Sequence, residues 1–296
     1  MLYIKNMKID LQIHSHYSDG YHTPTQLAGF LFKQGIKVAS LTDHNTVIGQ
    51  PEFKSACNRY GIKTVPGLEL YVRYKSRGFN LLWYNYDATA PELHKLLAST
   101  WLRRRRFAVK VAIRLKRLGL KFKIEKFIVQ HPVYLPANHL ADVIWASRDN
   151  RRLLKDALGL EKVREDDIMR FCLFPKIGPR LQDAHVSLTR VLSLRRQIGG
   201  QLIFCHPGLN NKLRGGLLET LLAAGVDGAE ILSPHHGYNT VAYLSSLANQ
   251  YKFIASGGSD FHKFNDAQIK PLSSWNWFSI DSAYLPGVRK ILDNKK

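Results

Sequence analysis

Cysteine is scarce in this 296-residue chain, and acid is outnumbered. The three cysteines, Cys57, Cys172 and Cys205, cannot all pair, and none lies in a CxxC. That points to reduced thiols in a cytoplasmic protein. Long apolar runs are missing as well. None approaches the roughly 18 residues a membrane span needs. Residues 1–13 hold no apolar h-region and no small-residue cleavage site, so no secretory leader is expected. Internal repeats, low-complexity tracts and heptad arrays are absent. Hydrophobic residues nevertheless make up 45%, enough for a sizeable core and too many for a chain disordered over its bulk. The length suits two domains, or one α/β barrel with an insertion. Against 23 Asp+Glu stand 43 Lys+Arg, a formal charge of +20. Such a balance favours anionic partners, with nucleic acid or phosphorylated metabolites first.

The charge is concentrated. Between Glu92 and Lys126 there are 12 basic residues and 2 acidic ones, which is half of the excess. Leu93, Leu97, Trp101, Ala108, Val111, Leu115 and Leu118 recur at three- and four-residue steps, predicting a helix with one apolar stripe. Arg103, Arg106, Lys110, Arg114 and Arg117 follow the same steps on another face, either as a solvated surface or as a phosphate-backbone track. Gly119 is the predicted stop. Arg104 falls on the apolar face, where a buried guanidinium needs an anionic partner: a structural carboxylate or a substrate phosphate.

Strands and helices alternate over residues 1–87. Strands are predicted at 8–14, 37–42, 62–66 and 79–86, with helices at 24–34 and 52–60. Residues 88–180 are helix-rich and basic, with no clear strand. The alternation returns with strands at 201–205, 228–232 and 253–256, and helices at 217–224 and 241–250. The pattern is that of a parallel sheet. It predicts an α/β barrel built from residues 1–87 and 181–296, interrupted by a helical insertion over 88–180.

His14, His44, Glu69, His206, Asp260 and His262 all fall at or just past the C-terminal end of a predicted strand. In a parallel barrel those ends share one face. Imidazoles with carboxylates suit Zn²⁺, Mn²⁺ or Fe²⁺. Six such residues at five strand ends therefore predict a metal site.

The segments Asp10-Leu11-Gln12-Ile13-His14, Ser18-Asp19-Gly20, Thr42-Asp43-His44-Asn45-Thr46, Pro66-Gly67-Leu68-Glu69, His206-Pro207-Gly208 and Gly258-Ser259-Asp260-Phe261-His262 stand in sequence order. Together they resemble the successive motifs of the PHP (polymerase and histidinol phosphatase) family. The Arg-rich insertion is similar to the branch holding nucleoside-3′,5′-bisphosphate phosphatases and 5′-to-3′ exoribonucleases. The resemblance implies a distorted (β/α)7 TIM-like barrel with two or three divalent metal ions. It implies that His14, Glu69 and Asp260 serve one metal. Glu69 would bridge to a second metal shared with His206, and Asp19, His44 and His262 would hold a third. Asp43 would orient a ligand or handle protons.

Two positions depart from the family pattern. Counting back from Ser18-Asp19-Gly20, the first His of the family's His-x-His becomes Gln12, which leaves His16 as a loop residue. Asn80 stands where the family has a ligand His, and Trp83 where it has a Gly. Amides bind transition metals more weakly than imidazole, so the first two metal positions are depleted.

The resemblance implies a metal-dependent phosphoesterase acting on nucleotides or short oligonucleotides of RNA or DNA through metal-activated water. Asp43, His206 and Asp260 are the candidate catalytic residues. Arg104, His139, His235 and His236 are the candidate contacts to substrate phosphate. No obligate protein partner is expected. The alternatives are a phosphatase of a small non-nucleotide metabolite, and a module that binds nucleic acid or a partner with weakened or absent catalysis.

Overall fold

The computed structural model describes residues 7–178, 181, 184–209, 213, 215–264 and 280–294. They form two compact units, Met1–His94 with His185–Lys296, and Lys95–Ala184. No helix among the described residues is long and apolar enough to cross a membrane.

The first unit opens on β1 (Lys8–Ile13), which pairs in parallel with β2 (Val38–Leu41). Between them runs α1 (Pro24–Lys33). Thr23 caps that helix, accepting the Gln26 amide while the Gln26 side chain accepts the Thr23 amide, and Pro24 starts the first turn. Each bond satisfies a donor the helix start leaves open. α2 (Gln50–Arg59) follows, and β3 (Lys63–Thr64) extends the sheet beside β2. Ile13, Leu27, Leu31, Leu41, Phe53 and Cys57 form the buried cluster between these helices and strands.

The expected all-parallel order breaks next. β4 (Gly67–Tyr74) and β5 (Arg77–Tyr84) form an antiparallel hairpin, and β5 also pairs antiparallel with β7 (Gln201–Phe204). A two-residue connection between β4 and β5 allows no crossover, so this pair must be antiparallel. Glu69 is thereby corrected: it lies inside β4 rather than past the end of β3. Short β6 (Val186–Ser187) pairs with β4. β8 (Gly228–Leu232) and β9 (Ile254–Gly257) continue the second sheet in parallel, and β10 (Ile280–Asp281) closes onto β1. The result is a four-stranded and a six-stranded mixed sheet. They approach one another through the isolated bridges Ile13–Phe261 and His44–Glu69, both beside candidate ligands.

The second unit contains only helices and loops among its described residues. α3 (Pro91–Arg117) ends where Gly119 turns left-handed at φ +85°. Ala108, Val111, Ala112 and Leu115 bury one face of α3 against Phe127, Leu140, Ile144, Leu154 and Leu173. Leu118 departs from the expected stripe. It lies past the helix end, 42% exposed, and Leu120 beyond the turn takes the buried place instead. Arg106, Lys110 and Arg117 are exposed, whereas Arg103 and Arg114 are half-buried. Those two donate to carbonyls of Ala184 and of Phe171 and Cys172. Arg104 is buried, with Nε 2.7 Å from the Leu135 carbonyl and its guanidinium over the Tyr134 ring.

β8 and β9 leave no room for a side chain at Gly228, where an added Cβ would lie 1.8 Å from the Ile254 carbonyl oxygen. Gly228→Ala must push the strands apart. A loss of about 1–3 kcal/mol is expected, read as a lower urea midpoint at unchanged slope.

Candidate metal centre

Side chains alternate along β1, so Asp10, Gln12 and His14 share a face opposite Ile9, Leu11 and Ile13. The next residues turn back sharply: the amides of Ser18 and Gly20 both donate to the Ser15 carbonyl. A Cβ on Gly20 would sit 2.2 Å from the His14 carbonyl oxygen, so the turn requires glycine. Asp43 holds this loop. It accepts from the Ser15 amide at 2.7 Å, the Ser15 hydroxyl at 2.6 Å and the Ser18 hydroxyl at 2.6 Å. Its carboxylate therefore anchors the turn that presents Asp19.

Glu69 lies at the centre. Its Oε2 is 3.0 Å from His14 Nε2, and its Oε1 is 3.3 Å from His206 Nε2. Asp260 Oδ1 is 3.1 Å from the same His14 nitrogen. Asp19 stands 3.4 Å from His44 Nε2 through one oxygen, and 3.3 Å from His262 Nε2 through the other. The His14 and His262 rings stack at 4.3 Å, and Tyr71 stacks on His44 at 4.6 Å. All seven expected ligands thus come together. Together with Cys205 they fall into three groups linked by shared residues: His14, Asp19, His44 and His262; His14, Glu69 and Asp260; and Glu69, Cys205 and His206.

The donor set fits cations. Neither ring nitrogen of His14 has hydrogen-bond geometry to a partner, although carboxylate oxygens stand 3.0–3.5 Å away. Donors that share one ion at about 2.1 Å sit about 3.0–3.4 Å from each other, in octahedral or tetrahedral order. Burial alone would push the carboxyls of Glu69, Asp19 and Asp260 up. Around Glu69, His44, His14 and His206 outweigh it and hold the group well below the usual range. Asp19 is held down by His44 and His262, and Asp260 by His262, His14 and His235. Burial lowers His14, but Asp260 and Glu69 raise it further. One buried and two half-buried anions facing imidazoles form a charge arrangement that a divalent ion completes.

Gln12 and Asn80 both face the cluster. Gln12 Nε2 lies 3.0 Å from Asp260 Oδ1, 3.2 Å from Glu69 Oε2 and 3.1 Å from Cys205 Sγ. Leu82 is the register partner of Glu69, so Asn80 is its diagonal neighbour, and Asn80 Nδ2 donates to Glu69 Oε1 at 2.5 Å. Both amides act as donors where a ligand would be an acceptor. His16 belongs to none of the three groups, in keeping with the register that puts Gln12 at the first ligand position.

The loops after β7 and β9 impose unusual backbone. His206 has φ +29° and Asp260 has φ +49°, left-handed values costing about 1–3 kcal/mol each for such residues. The His206 amide donates at 2.9 Å to Glu230, a buried carboxyl that burial and nearby Asp260 push well above its usual range. His235 Nε2 contacts Asp260 Oδ2 at 2.7 Å from the exposed rim. His236 is arranged differently. Its Nδ1 donates to the Ile231 carbonyl at 2.8 Å, and its Nε2 accepts the Gly208 amide at 3.1 Å. Both nitrogens are thus occupied by backbone, which suits a loop clamp better than the expected contact to substrate. His139 and Arg104 belong to the other unit, where the His139 ring lies against His131. Cys205 and Glu230 are the residues that sequence reasoning missed. A thiol directly before His-Pro-Gly and a lone Glu inside an apolar strand were the only signals.

Residues 10–132 match the family model of the PHP domain. Over this stretch the chain is similar to PHP domains. The chain is 27% identical over 259 residues to a 5′-3′ exoribonuclease of Haemophilus influenzae, covering 86% of this chain and 90% of that protein. It is 26% identical over 260 residues to a 3′,5′-nucleoside bisphosphate phosphatase of Chromobacterium violaceum, covering 86% and 87%. A crystal structure from Bifidobacterium adolescentis, provisionally titled a metal-dependent phosphoesterase, superposes with a TM-score of 0.75 at 20% identity. That likeness covers 97% of this chain and 96% of the other, and it shows a shared fold.

His236 yields a pH test. Burial drives its pKa down to about 4 from an ordinary 6.5. The unfolded chain therefore binds more protons between those values, so stability contributed by neutral His236 is full above pH 6.5 and is lost as pH falls toward 4. In the metal-free protein, His236→Gln should flatten the fall of the unfolding free energy from urea melts across that window, by up to about 1.4 kcal/mol per pH unit. Parallel curves for the two proteins would contradict this protonation state.

Proposed function

We propose that this chain is a metal-dependent phosphoesterase that cleaves phosphate esters of nucleotides or short oligonucleotides. The observation that carries the reading is the convergence of His14, Asp19, His44, Glu69, His206, Asp260 and His262 around two central carboxylates. The nucleotide class is supported by the names of the two relatives and by the basic excess of the chain.

His14 Nε2, Glu69 and Asp260 would hold one ion. Glu69 Oε1 and His206 would serve a second, and Asp19, His44 and His262 a third. Ions of this class polarise a phosphoryl oxygen and make bound water nucleophilic near neutral pH. Asp43 acts as a positioning residue, since its bonds to Ser15 and Ser18 fix the Asp19 turn. Asp260 orients His235 through Oδ2, which leaves the His235 Nδ1 edge to meet a substrate phosphate. His206 is placed by the hydrogen bond its backbone amide donates to Glu230, and its Nε2 is the candidate proton-handling atom of the site. The buried thiols Cys57, Cys172 and Cys205 fit a reducing, cytoplasmic setting.

The amides of Gln12 and Asn80 favour a second reading: binding of an anionic partner with weak or no turnover. One assay separates the two. 3′,5′-bisphosphonucleotides, mononucleotides, 5′-phosphorylated RNA oligomers and a small sugar phosphate are incubated with Mn²⁺, Zn²⁺ or Fe²⁺. Turnover of a nucleotide substrate is expected, falling at least about 10³-fold, or about 4 kcal/mol, in a folded Asp260→Ala variant. Salt-sensitive RNA binding without hydrolysis would select the second reading. Asp43→Ala should weaken metal retention about 10–100-fold by releasing the Asp19 turn. Unchanged retention would remove the positioning role.

A further inference from the structure

Cys57 and Cys172 lie inside hydrophobic clusters, and burial pushes each thiol up to about 12. Cys205 has different company. It is fully buried, one residue past the end of β7. Its Sγ is 3.4 Å from Glu69 Oε1, the oxygen that His206 Nε2 approaches at 3.3 Å. Donor atoms of Glu69, Cys205 and His206 all lie within 4.8 Å of one another.

The amide at position 80 makes this sulfur informative. Asn80 directs Nδ2 at Glu69 Oε1, and an amide NH₂ has no lone pair to give a cation. That side of Glu69 therefore has one imidazole, His206, and a sulfur in place of a second. Gln12 Nε2 donates to this sulfur at 3.1 Å, the kind of bond that offsets charge on a thiolate.

We propose that Cys205 is a metal ligand, joining Glu69 Oε1 and His206 Nε2 to form a mixed oxygen, nitrogen and sulfur position at the place Asn80 depletes. This rests on the metal reading above. A soft thiolate biases the position toward Zn²⁺ or Fe²⁺ and away from Mn²⁺. As the ion binds, the S–H bond breaks, a sulfur–metal bond forms and the proton leaves to solvent. No electron changes hands, so no co-reactant is required.

Co²⁺ reports this directly. The metal-stripped full chain is titrated with Co²⁺, recording absorption and metal content. A near-ultraviolet sulfur-to-Co²⁺ charge-transfer band is expected, in addition to the weak visible bands of bound Co²⁺. The band should vanish in Cys205→Ser and persist in Cys57→Ser and Cys172→Ser. Zn²⁺ retention by Cys205→Ser should fall by more than the tenfold that losing a supporting hydrogen bond costs. Visible bands without the near-ultraviolet band would overturn the ligand role of Cys205 and leave the metal centre standing. Failure to bind Co²⁺ at all would overturn the metal reading and the proposal together. Should Cys205→Ser fail to fold, the wild-type band and its survival in the other two variants still decide.

Discussion

The Glu69 carboxylate is the contact on which the rest of this site depends. Each of its oxygens faces a different set of donors: Oε2 meets His14 and Gln12, and Oε1 meets His206, Asn80 and Cys205. A buried anion of this kind is costly unless it is paired. The pairing comes from the loops after β1 and β7 and from strands β1 and β5. Glu69 is also bridged through its backbone to His44, where the two sheets approach one another. The charge cluster and the sheet geometry therefore constrain each other: β1, β2, β4 and β7 must be in register for the imidazoles to reach one carboxylate.

Much of this was legible in the sequence. β8 and the helix Leu217–Ala224 fall on the residues where alternation and helical spacing put them. Gly119 stops α3 because it can turn left-handed. Six of the ligand-type residues were read from the rule that strand ends in parallel units share one face, and Asp19 from the family resemblance. The β4–β5 hairpin was not legible. Its residues are buried on both faces, so they carry no alternation to reveal direction, and Lys75 at φ +52° gives no glycine signal at the turn. The antiparallel order then decides what Asn80 does, because only a hairpin register puts it diagonal to Glu69. Leu118 misled for the opposite reason. It fits the apolar period but lies beyond the point where the helix has turned away.

Cys205 and Glu230 escaped because each is ordinary in its local context. A small thiol at the end of an apolar strand reads as core, and a single Glu among apolar neighbours reads as surface. Only the folded arrangement puts the thiol beside Glu69 and the Glu under the His206 amide. Long-range proximity of this kind leaves no trace in periodicity or composition.

The left-handed backbone at His206 and Asp260 has a consequence for the stability of this end of the molecule. Glycine would sit at either position without steric penalty, and the fold by itself would be firmer for it. The chain instead carries an imidazole and a carboxylate there, in conformations such residues rarely adopt. A polypeptide selected only for firmness would drift toward glycine at both places. Among the seven ligand-type residues, the tension between the most stable sequence and this one falls on these two. Both point into the same cluster of charge.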